Sequence, residues 1–347
     1  VPNENGNFSL SAVHSISFDD CEVEGLHLSS LQSTIQKCPS LQQLQFSQLT
    51  MGADGADFLT SVLPSLKNLR ILSLNSKGET EDEAVIFALQ QLQKHVEWLS
   101  LSRHVIKDSG AAVLRNALQG LTRIRSLRLD SLELDEESLA CFAQGLQAMT
   151  SLKKISLNIK TSSKDGSGIL CLLASLHTLF ELEEIELIGL RIGDQGIEEL
   201  VKHIPKWTRL RKINLSRNNL GQSFAAVMGQ VLPLLSELSE LNLTSIGTSD
   251  LVNVASCLKH CTSIEDISLS WNSCENDVVL KLVEVLPQCS KLKRLDLEAN
   301  NIYTSGAKAL AGCLQFCPWI EIIRLWRNPI KKDDPILKDK RLNFSPT

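Results

Sequence analysis

The stretch LKRLDLEANNI, residues 292–302, places leucine at its first, fourth and sixth positions. In an extended strand, successive side chains point to opposite faces, so these leucines share one face and the intervening Arg294, Asp296 and Glu298 share the other. The two asparagines that follow indicate a turn. The stretch therefore predicts a short strand with an apolar face against a core and a polar face toward solvent.

The same pattern, apolar-x-x-apolar-x-apolar, returns twelve times at intervals of 26 to 30 residues. The repeats open at Val13, Leu41, Leu69, Val96, Ile124, Leu152, Leu182, Leu210, Leu238, Ile264, Leu292 and Ile320. Fixed-period self-similarity of this length is the signature of a repeat architecture. The period predicts an α/β leucine-rich repeat solenoid of about twelve repeats of ~28 residues.

Each repeat also predicts a helix after its strand. Val279, Leu282, Val283 and Leu286 have the i, i+3, i+4, i+7 spacing of one buried stripe. Polar residues twelve positions after the repeat opens are predicted to cap these helices, and they include Asp108, Asp194, Asn276 and Thr304. Because strands stack about 4.8 Å apart and helices need about 8 to 10 Å, we expect a horseshoe with strands on the concave face.

Asparagine at the ninth repeat position, where its amide can bond turn backbone, occurs only in the second half of the chain. The four examples are Asn218, Asn272, Asn300 and Asn328. Elsewhere the position holds Cys21, Leu49, Lys77, His104, Leu132, Lys160, Leu190 and Ile246. We therefore expect the C-terminal third to be the most regular. The longest repeat carries KTSSKDGSG, residues 160–168, which predicts a protruding loop.

The repeat register runs without interruption from residue 13 to residue 330, so we predict one domain over 1–347. Residues 331–347 are predicted to fold over the last repeat and cover its strand edge. The chain begins without Met and without an evident cap, so we expect it to be the C-terminal part of a larger polypeptide, monomeric in isolation. No apolar stretch reaches the roughly 18 residues of a membrane span.

Chemistry-bearing motifs are not evident. The sequence matches no P-loop, dinucleotide fingerprint, nucleophile elbow or metalloprotease helix, so we predict no enzyme activity and no cofactor. Eight of the ten cysteines recur at equivalent repeat positions, which favours buried, reduced thiols over a metal site. The CLKHC and CLQFC pairs, residues 257–261 and 313–317, complete no four-ligand zinc set. A net charge of -5, with scattered basic residues, argues against direct nucleic-acid binding.

A rigid strand face is suited to binding proteins, because little ordering entropy is lost on association. Exposed Trp with neighbouring Arg is the composition of an interface hot spot, although these tryptophans could instead pack on neighbouring strands or cap the C-terminal end. The predicted partner-binding residues are Trp271, Arg324, Trp326, Arg327, Glu240, Asp266, Arg294, Asp296 and Glu298.

The 28-residue unit resembles the ribonuclease-inhibitor-like class of leucine-rich repeats, which NOD-like receptors share. The segments LSWN, VLPQCSKLKRLDLEANNI, IEIIRLWRNPI and RLNF, within residues 264–347, resemble the C-terminal end of the CARD-class NOD-like receptor that transactivates MHC class I genes. That resemblance implies an interferon-induced regulator in cytoplasm and nucleus. It would join enhanceosome components or innate signalling proteins and reach DNA only through other proteins.

Two alternatives remain open at this stage. The repeats could bind the NACHT domain of their own chain, as the sensor segments of inflammasome-type receptors do. They could also clamp a basic enzyme, as a protein inhibitor similar to ribonuclease inhibitor. The charges of repeats seven to eleven fit either alternative.

Overall fold

The structure, a computed structural model, describes residues 10–23, 28–51, 54–81, 85, 89–92, 94–106, 108–161, 166–221, 223–331 and 333–346. The chain divides into two compact units, residues 1–181 and 182–347. We describe each unit by itself, and the expectation of one domain over 1–347 stays a prediction. Among the described residues, no helix is both long and apolar enough to cross a membrane.

The first unit consists of parallel strands with helices between them. Its strands are β1 (Ser15–Asp19), β2 (Glu22–Val23), β3 (Gln43–Met51), β4 (Ile71–Glu81), β5 (Trp98–Ile106), β6 (Ser126–Leu134) and β7 (Lys154–Thr161). Strands β1 and β2 pair with β3, and each strand from β3 to β6 pairs with the next one along the chain. The described helices of this unit are α1 (Leu28–Gln36), α2 (Gly55–Val62), α3 (Asp108–Gly120), α4 (Glu136–Leu146) and α5 (Ser167–Ser175).

The second unit repeats this plan with much shorter strands. They are β8 (Glu184–Leu187), β9 (Lys212–Asn214), β10 (Glu240–Asn242), β11 (Asp266–Ser268), β12 (Arg294–Asp296), β13 (Ile322–Arg324) and β14 (Leu342–Asn343). Each pairs in parallel with its neighbour along the chain. Its helices are α6 (Gly193–Val201), α7 (Phe224–Val231), α8 (Val252–Cys257), α9 (Asn276–Val285) and α10 (Thr304–Cys313).

The core contains the residues that the repeat pattern selects. Leu292, Leu295 and Leu297 are at most 1% exposed, whereas Arg294 between them is exposed. Equivalent residues pair directly across strands, as Ile267, Leu295 and Ile323 do. Each repeat therefore buries its apolar strand positions against the next, and the predicted α/β leucine-rich repeat fold is confirmed.

Asparagine at the ninth repeat position bonds the turn backbone, as predicted. The Nδ2 of Asn300 donates to the carbonyls of Leu269 and Leu297, each at 3.1 Å. Its Oδ1 accepts from the backbone N–H groups of Asn272, at 3.1 Å, and Cys274, at 2.9 Å. Because both donors and the carbonyl of Leu269 belong to the preceding repeat, the amide joins adjacent turns as well as closing its own.

The C-terminal tail covers the edge of the last repeat, which confirms that expectation. Strand β14 pairs in parallel with β13, through Leu342 opposite Ile323. The Arg341 guanidinium holds the tail in place by donating to the carbonyls of Leu314, at 3.2 Å, and Cys317, at 3.1 Å, and to Asp339. A two-residue strand leaves little free edge for further strand addition.

The predicted helix caps are wrong. Helices α6, α9 and α10 begin at or just before Asp194, Asn276 and Thr304, but no side chain caps their N-termini. Each of the three side chains instead accepts a backbone N–H from the next repeat, from Ser223, Tyr303 and Lys331 respectively. In each case the side-chain oxygen lies about 3 Å from this backbone nitrogen, so it bonds the following turn and not its own helix. The side chain of Asp108 and residues 162–165 of the predicted loop lie outside the described residues.

The cysteines are free thiols, and most are buried. Cys38, Cys261, Cys289 and Cys317, which share one repeat position, are at most 2% exposed, so their predicted core role is confirmed. Burial raises the pKa of Cys261 to about 12 and that of Cys289 to about 11. Cys171, by contrast, is exposed, because its helix position faces away from the core.

Candidate functional site

The strand face of the second unit carries a ladder of charged side chains. Glu240, Asp266 and Arg294 occupy the same position on β10, β11 and β12 and are direct partners in the sheet. The Nε of Arg294 donates to Asp266 at 2.6 Å, and this bond raises the pKa of the guanidinium. Glu240 lies 3.5 Å from the Nζ of Lys212, so its carboxylate turns toward the earlier repeats.

Two further carboxylates, Asp296 and Glu298, lie on one side of this ladder. The Oδ1 of Asp296 accepts the backbone N–H of Glu298 at 2.9 Å. Burial raises the pKa of the Asp296 carboxyl, and burial together with the charge of Asp296 raises that of Glu298. The Oε1 of Glu298 is buried and has no hydrogen-bond partner among the described residues. Both acids therefore hold their charge at a cost that the fold does not fully offset.

Arg324 on β13 lies directly opposite Asp296 in the sheet. Its Nε atom is buried and finds no hydrogen-bond partner in the part of the chain that the structure describes. Its charge nevertheless lowers the pKa of both Asp296 and Glu298, although burial outweighs that effect. These side chains line a cavity of about 400 Å³, which we call the strand-face groove. Its lining is Asn242, Thr244, Asp266, Ser268, Ser270, Trp271, Arg294, Leu295, Asp296, Glu298, Ile322 and Arg324.

Beside this groove, Arg327 lies between two tryptophans. Its guanidinium carbon is 4.3 Å from the ring centroid of Trp326 and 5.1 Å from that of Trp271. Trp271 and Arg327 occupy the eighth position of repeats ten and twelve, and both have left-handed backbone, with φ of 59° and 57°. The residue between them in the register is Ala299, also left-handed, whose small side chain leaves the two larger ones free to meet. Trp271 is 51% exposed.

The structure thus brings together most of the residues that the sequence predicted. Asp266, Trp271, Arg294, Asp296, Glu298 and Arg324 line the groove, and Arg327 with Trp326 adjoins it through Trp271. Glu240 does not line the groove and faces Lys212 instead. Whether any of these residues binds a partner stays a prediction.

Sequence reasoning missed two features. The hydroxyls of Thr244, Ser268 and Ser270, which line the groove, form a triangle with sides of 2.7 to 3.1 Å, and the seventh repeat position that Thr244 and Ser270 share could have indicated it. Trp98, which was not among the predicted binding residues, is 43% exposed on the strand face of the first unit. There it lines a separate cavity of about 460 Å³.

Neither groove has the composition of a metal centre. Among the described residues, no group of three or more His, Cys, Asp or Glu side chains is placed to hold a metal ion. The thiols of Cys313 and Cys317 lie 3.8 Å apart, but they are buried and donate within the fold. The chemistry that the strand-face groove offers is fixed charge, hydroxyl groups and exposed aromatic surface.

Comparison with known proteins agrees with this architecture. No family model matches the chain. It is 68% identical to the protein NLRC5 of Ictalurus punctatus over an alignment of 434 residues that takes in 100% of this chain and 25% of that protein. It is also 22% identical, over 81% of its length and 28% of the relative, to the NLR family CARD domain-containing protein 4 of Xenopus tropicalis. The chain belongs to the leucine-rich repeat regions of NOD-like receptors. It spans about a quarter of the length of these receptors.

Two further likenesses concern the repeat class and the fold. The ribonuclease inhibitor of Mus musculus is 27% identical over 87% of this chain and 66% of its own length. An internalin from Listeria monocytogenes aligns with a TM-score of 0.57 at 17% identity, over 97% of this chain and 88% of that one. The region is therefore a NOD-like receptor repeat region of the ribonuclease-inhibitor-like class, a fold suited to protein interaction.

Proposed function

We propose that this repeat region is a protein-binding scaffold of a NOD-like receptor that regulates innate immunity and MHC class I transcription. The strand-face groove, together with the stack of Trp271, Arg327 and Trp326, is the proposed contact surface. Its partners would be enhanceosome components or innate signalling proteins, and it would act in both cytoplasm and nucleus without contacting nucleic acid itself. We further propose that it has no catalytic activity.

The observation that carries this proposal is the position of the stack beside the groove. Exposed Trp and Arg side chains that are already ordered lose little conformational entropy on binding, and such residues dominate the energetics of protein interfaces. The relatives support the proposal because the receptors that match the chain carry leucine-rich repeats of the same class.

An affinity capture experiment tests this function. The domain and a Trp271→Ala, Arg324→Ala, Trp326→Ala variant would be used as baits in nuclear and cytosolic extracts of interferon-treated cells. A Leu280→Ala, Tyr303→Ala variant is the matched control, since both residues are about half exposed and neither lines the groove. We expect transcription or signalling proteins to be lost from the first variant and retained by the control. Identical partners on all three baits would exclude this surface.

The likeness to ribonuclease inhibitor favours a second candidate, an inhibitor that binds a basic enzyme. Carboxylates on the strand face, including Glu186, Glu240 and Asp266, could receive cationic side chains. Such binding would weaken steeply as salt is added, because long-range charge attraction is screened. Titration against a basic ribonuclease at two salt concentrations tests it, and absence of binding at low salt would exclude it.

A further inference from the structure

The guanidinium of Arg327 differs from those of the other arginines in this unit that take part in the fold. Arg294 donates to Asp266, and Arg341 donates to Asp339 and two carbonyls. The guanidinium of Arg327 lies over the two indole rings, and no hydrogen bond or ion pair joins its N–H groups to a described residue. Its in-plane donors are therefore open at an exposed position.

The backbone of Arg327, at the eighth repeat position, is left-handed. Left-handed backbone costs a residue with a side chain roughly 1 kcal/mol or more, and glycine avoids that cost. Repeat seven uses Gly189 at the equivalent position, with φ of 67°. Repeats ten and twelve carry the bulky Trp271 and Arg327 at the same cost in backbone strain. Left-handed backbone is common at the eighth position, as at Gln48, Arg103 and Arg217, so the contact with two indole rings is what distinguishes Arg327.

The stack also prepares the guanidinium for one kind of ligand. The guanidinium carbon lies over both indole rings, within 5.1 Å of each centroid, and this double contact restricts the position of the cation. What remains available is the edge, a fork of N–H donors whose geometry matches a carboxylate or a phosphoryl group. The Glu298 carboxylate is close enough to feel the charge of Arg327 but does not bond to it.

We propose that Arg327, held between Trp271 and Trp326, is the receptor for one anionic side chain of the partner protein, either a carboxylate or a phosphorylated residue. This inference rests on the proposed function and specifies the chemistry of the partner at that surface. Trp271 and Trp326 position the cation, and Arg327 makes the contact. A lysine at this position would keep the charge but lose the two parallel N–H donors.

Titration of the domain with short peptides tests the proposed anion site at Arg327. The readout is the indole N–H signals of the tryptophans in NMR spectra. Three peptides would differ only at a central glutamate, phosphoserine or glutamine. We expect the signals of Trp271 and Trp326 to shift with the first two peptides and not with the third. The relative affinity of the glutamate and phosphoserine peptides identifies the source of the anion.

Variants at the same register position provide the control. Arg327→Gln should abolish the shifts, and Arg327→Lys should weaken binding by about tenfold, which corresponds to about 1.4 kcal/mol. Arg217 is the matched control, since it is an exposed, left-handed arginine at the eighth position of repeat eight that stacks on no described ring. Arg217→Gln should leave the shifts unchanged.

Three results would contradict the proposed anion site at Arg327. They are no shift with either anionic peptide, equal shifts with the glutamine peptide, or an equal loss of the shifts in Arg217→Gln and Arg327→Gln. Its failure is separable from failure of the proposed function. If Arg327→Gln captures partners normally while Trp271→Ala loses them, the surface stands and the anion receptor is wrong. If neither variant changes the captured proteins, the surface itself is wrong.

Discussion

The two units share the same repeat but differ in the length of their strands. In the first unit, β3, β5 and β6 have nine residues each, whereas β9 to β13 in the second unit have three each. Asparagine at the ninth repeat position follows the short strands β9, β11, β12 and β13, whereas β10 is equally short with Ile246 at that position. Asn300 there satisfies the turn backbone with its own amide, so the chain leaves the sheet. Leu132 has no amide to offer, and its backbone continues the ladder opposite Ile159.

The polar faces of the strands differ as well. Along β4 and β5, the positions that face away from the core hold Ile71, Ser73 and Asn75, then Trp98, Ser100 and Ser102. None of these is charged. On β10 to β13 the equivalent positions include Asp266, Arg294, Asp296 and Arg324. The strand face is thus uncharged along β4 and β5, becomes charged at Arg128 and Asp130 on β6, and carries charge along β10 to β13.

The largest effect that tests this comparison is expected for Asn300→Leu. The change leaves the buried N–H groups of Asn272 and Cys274 without their partner, whereas the two carbonyls each keep a bond from a neighbouring asparagine. A buried donor without a partner costs about 1–3 kcal/mol, so we expect a loss of roughly 3 kcal/mol. Urea unfolding followed by circular dichroism measures it.

Asn301→Leu is the matched control for that change, since Asn301 is exposed and its amide makes one long bond, at 3.4 Å, to the carbonyl of Ser273. We expect it to cost less than about 0.5 kcal/mol. Equal losses in the two variants would mean that the asparagine ladder does not hold the second unit together.

A smaller effect is expected at His104, which occupies the ninth position in the first unit. Its ring is buried, and Nε2 bonds the carbonyl of Leu74 at 2.9 Å. Asn218 makes the same contact to Leu187, at 2.7 Å. We therefore expect His104→Leu to cost about 2 kcal/mol and His104→Asn at most about 1 kcal/mol, because the amide restores the donor. Thermal unfolding of both variants measures the difference.

The contrast between the two His104 variants is the test. If His104→Leu were as stable as His104→Asn, the histidine would act as an apolar residue, like Leu49 and Leu132 in the neighbouring repeats. The first unit would then contain no counterpart of the asparagine bond at this position.

The sequence predicts the parts of this fold that one repeat determines. Leu292, Leu295 and Leu297 reach the core because alternation within a strand fixes their side. Asn300 bonds the turn because its amide reaches backbone three residues away. The residues of the groove follow from the same alternation, since Asp266, Asp296 and Arg324 all fall on the strand face.

Features that depend on a neighbouring repeat escape this reasoning. Their positions predict that Asp194 and Asn276 cap their own helices, but both side chains accept from backbone N–H groups of the next repeat. Strand length in the first unit depends on whether the adjacent chain stays extended, as at Leu132 and Ile159. The contact of Arg327 with Trp271 spans two repeats and depends on a small residue at Ala299.

A gain in stability is expected for Ala299→Gly. Ala299 has φ of 50° and follows a three-residue strand, so glycine removes the strain of left-handed backbone there. After the greater entropy of glycine in the unfolded chain is subtracted, we expect a gain of up to about 1 kcal/mol. Ser131 is also left-handed but lies inside β6, where glycine weakens the strand, so Ser131→Gly should gain less. Equal gains in thermal unfolding would show that strand continuation does not matter.

The smallest expected effect on stability is that of Asp296→Asn. Its dependence on pH identifies this effect better than its magnitude does. Asn214 and Asn242 occupy the same strand position as Asp296, and each accepts the backbone N–H two residues on, as Asp296 does. Asparagine is therefore sufficient for the fold. Because burial raises the pKa of Asp296 in the folded state, its contribution to stability is lost as the pH rises through that pKa.

Asp296→Asn should thus stabilise the domain at pH 7, and the gain should vanish below the ordinary aspartate pKa of 3.8, where the side chain is protonated in both states. Urea midpoints across this pH range measure it. A gain in stability that does not depend on pH would mean that it does not arise from removing the charge of Asp296. The expected result would mean that the second unit keeps a carboxylate where an amide would fold better, as a surface that binds a charged partner requires.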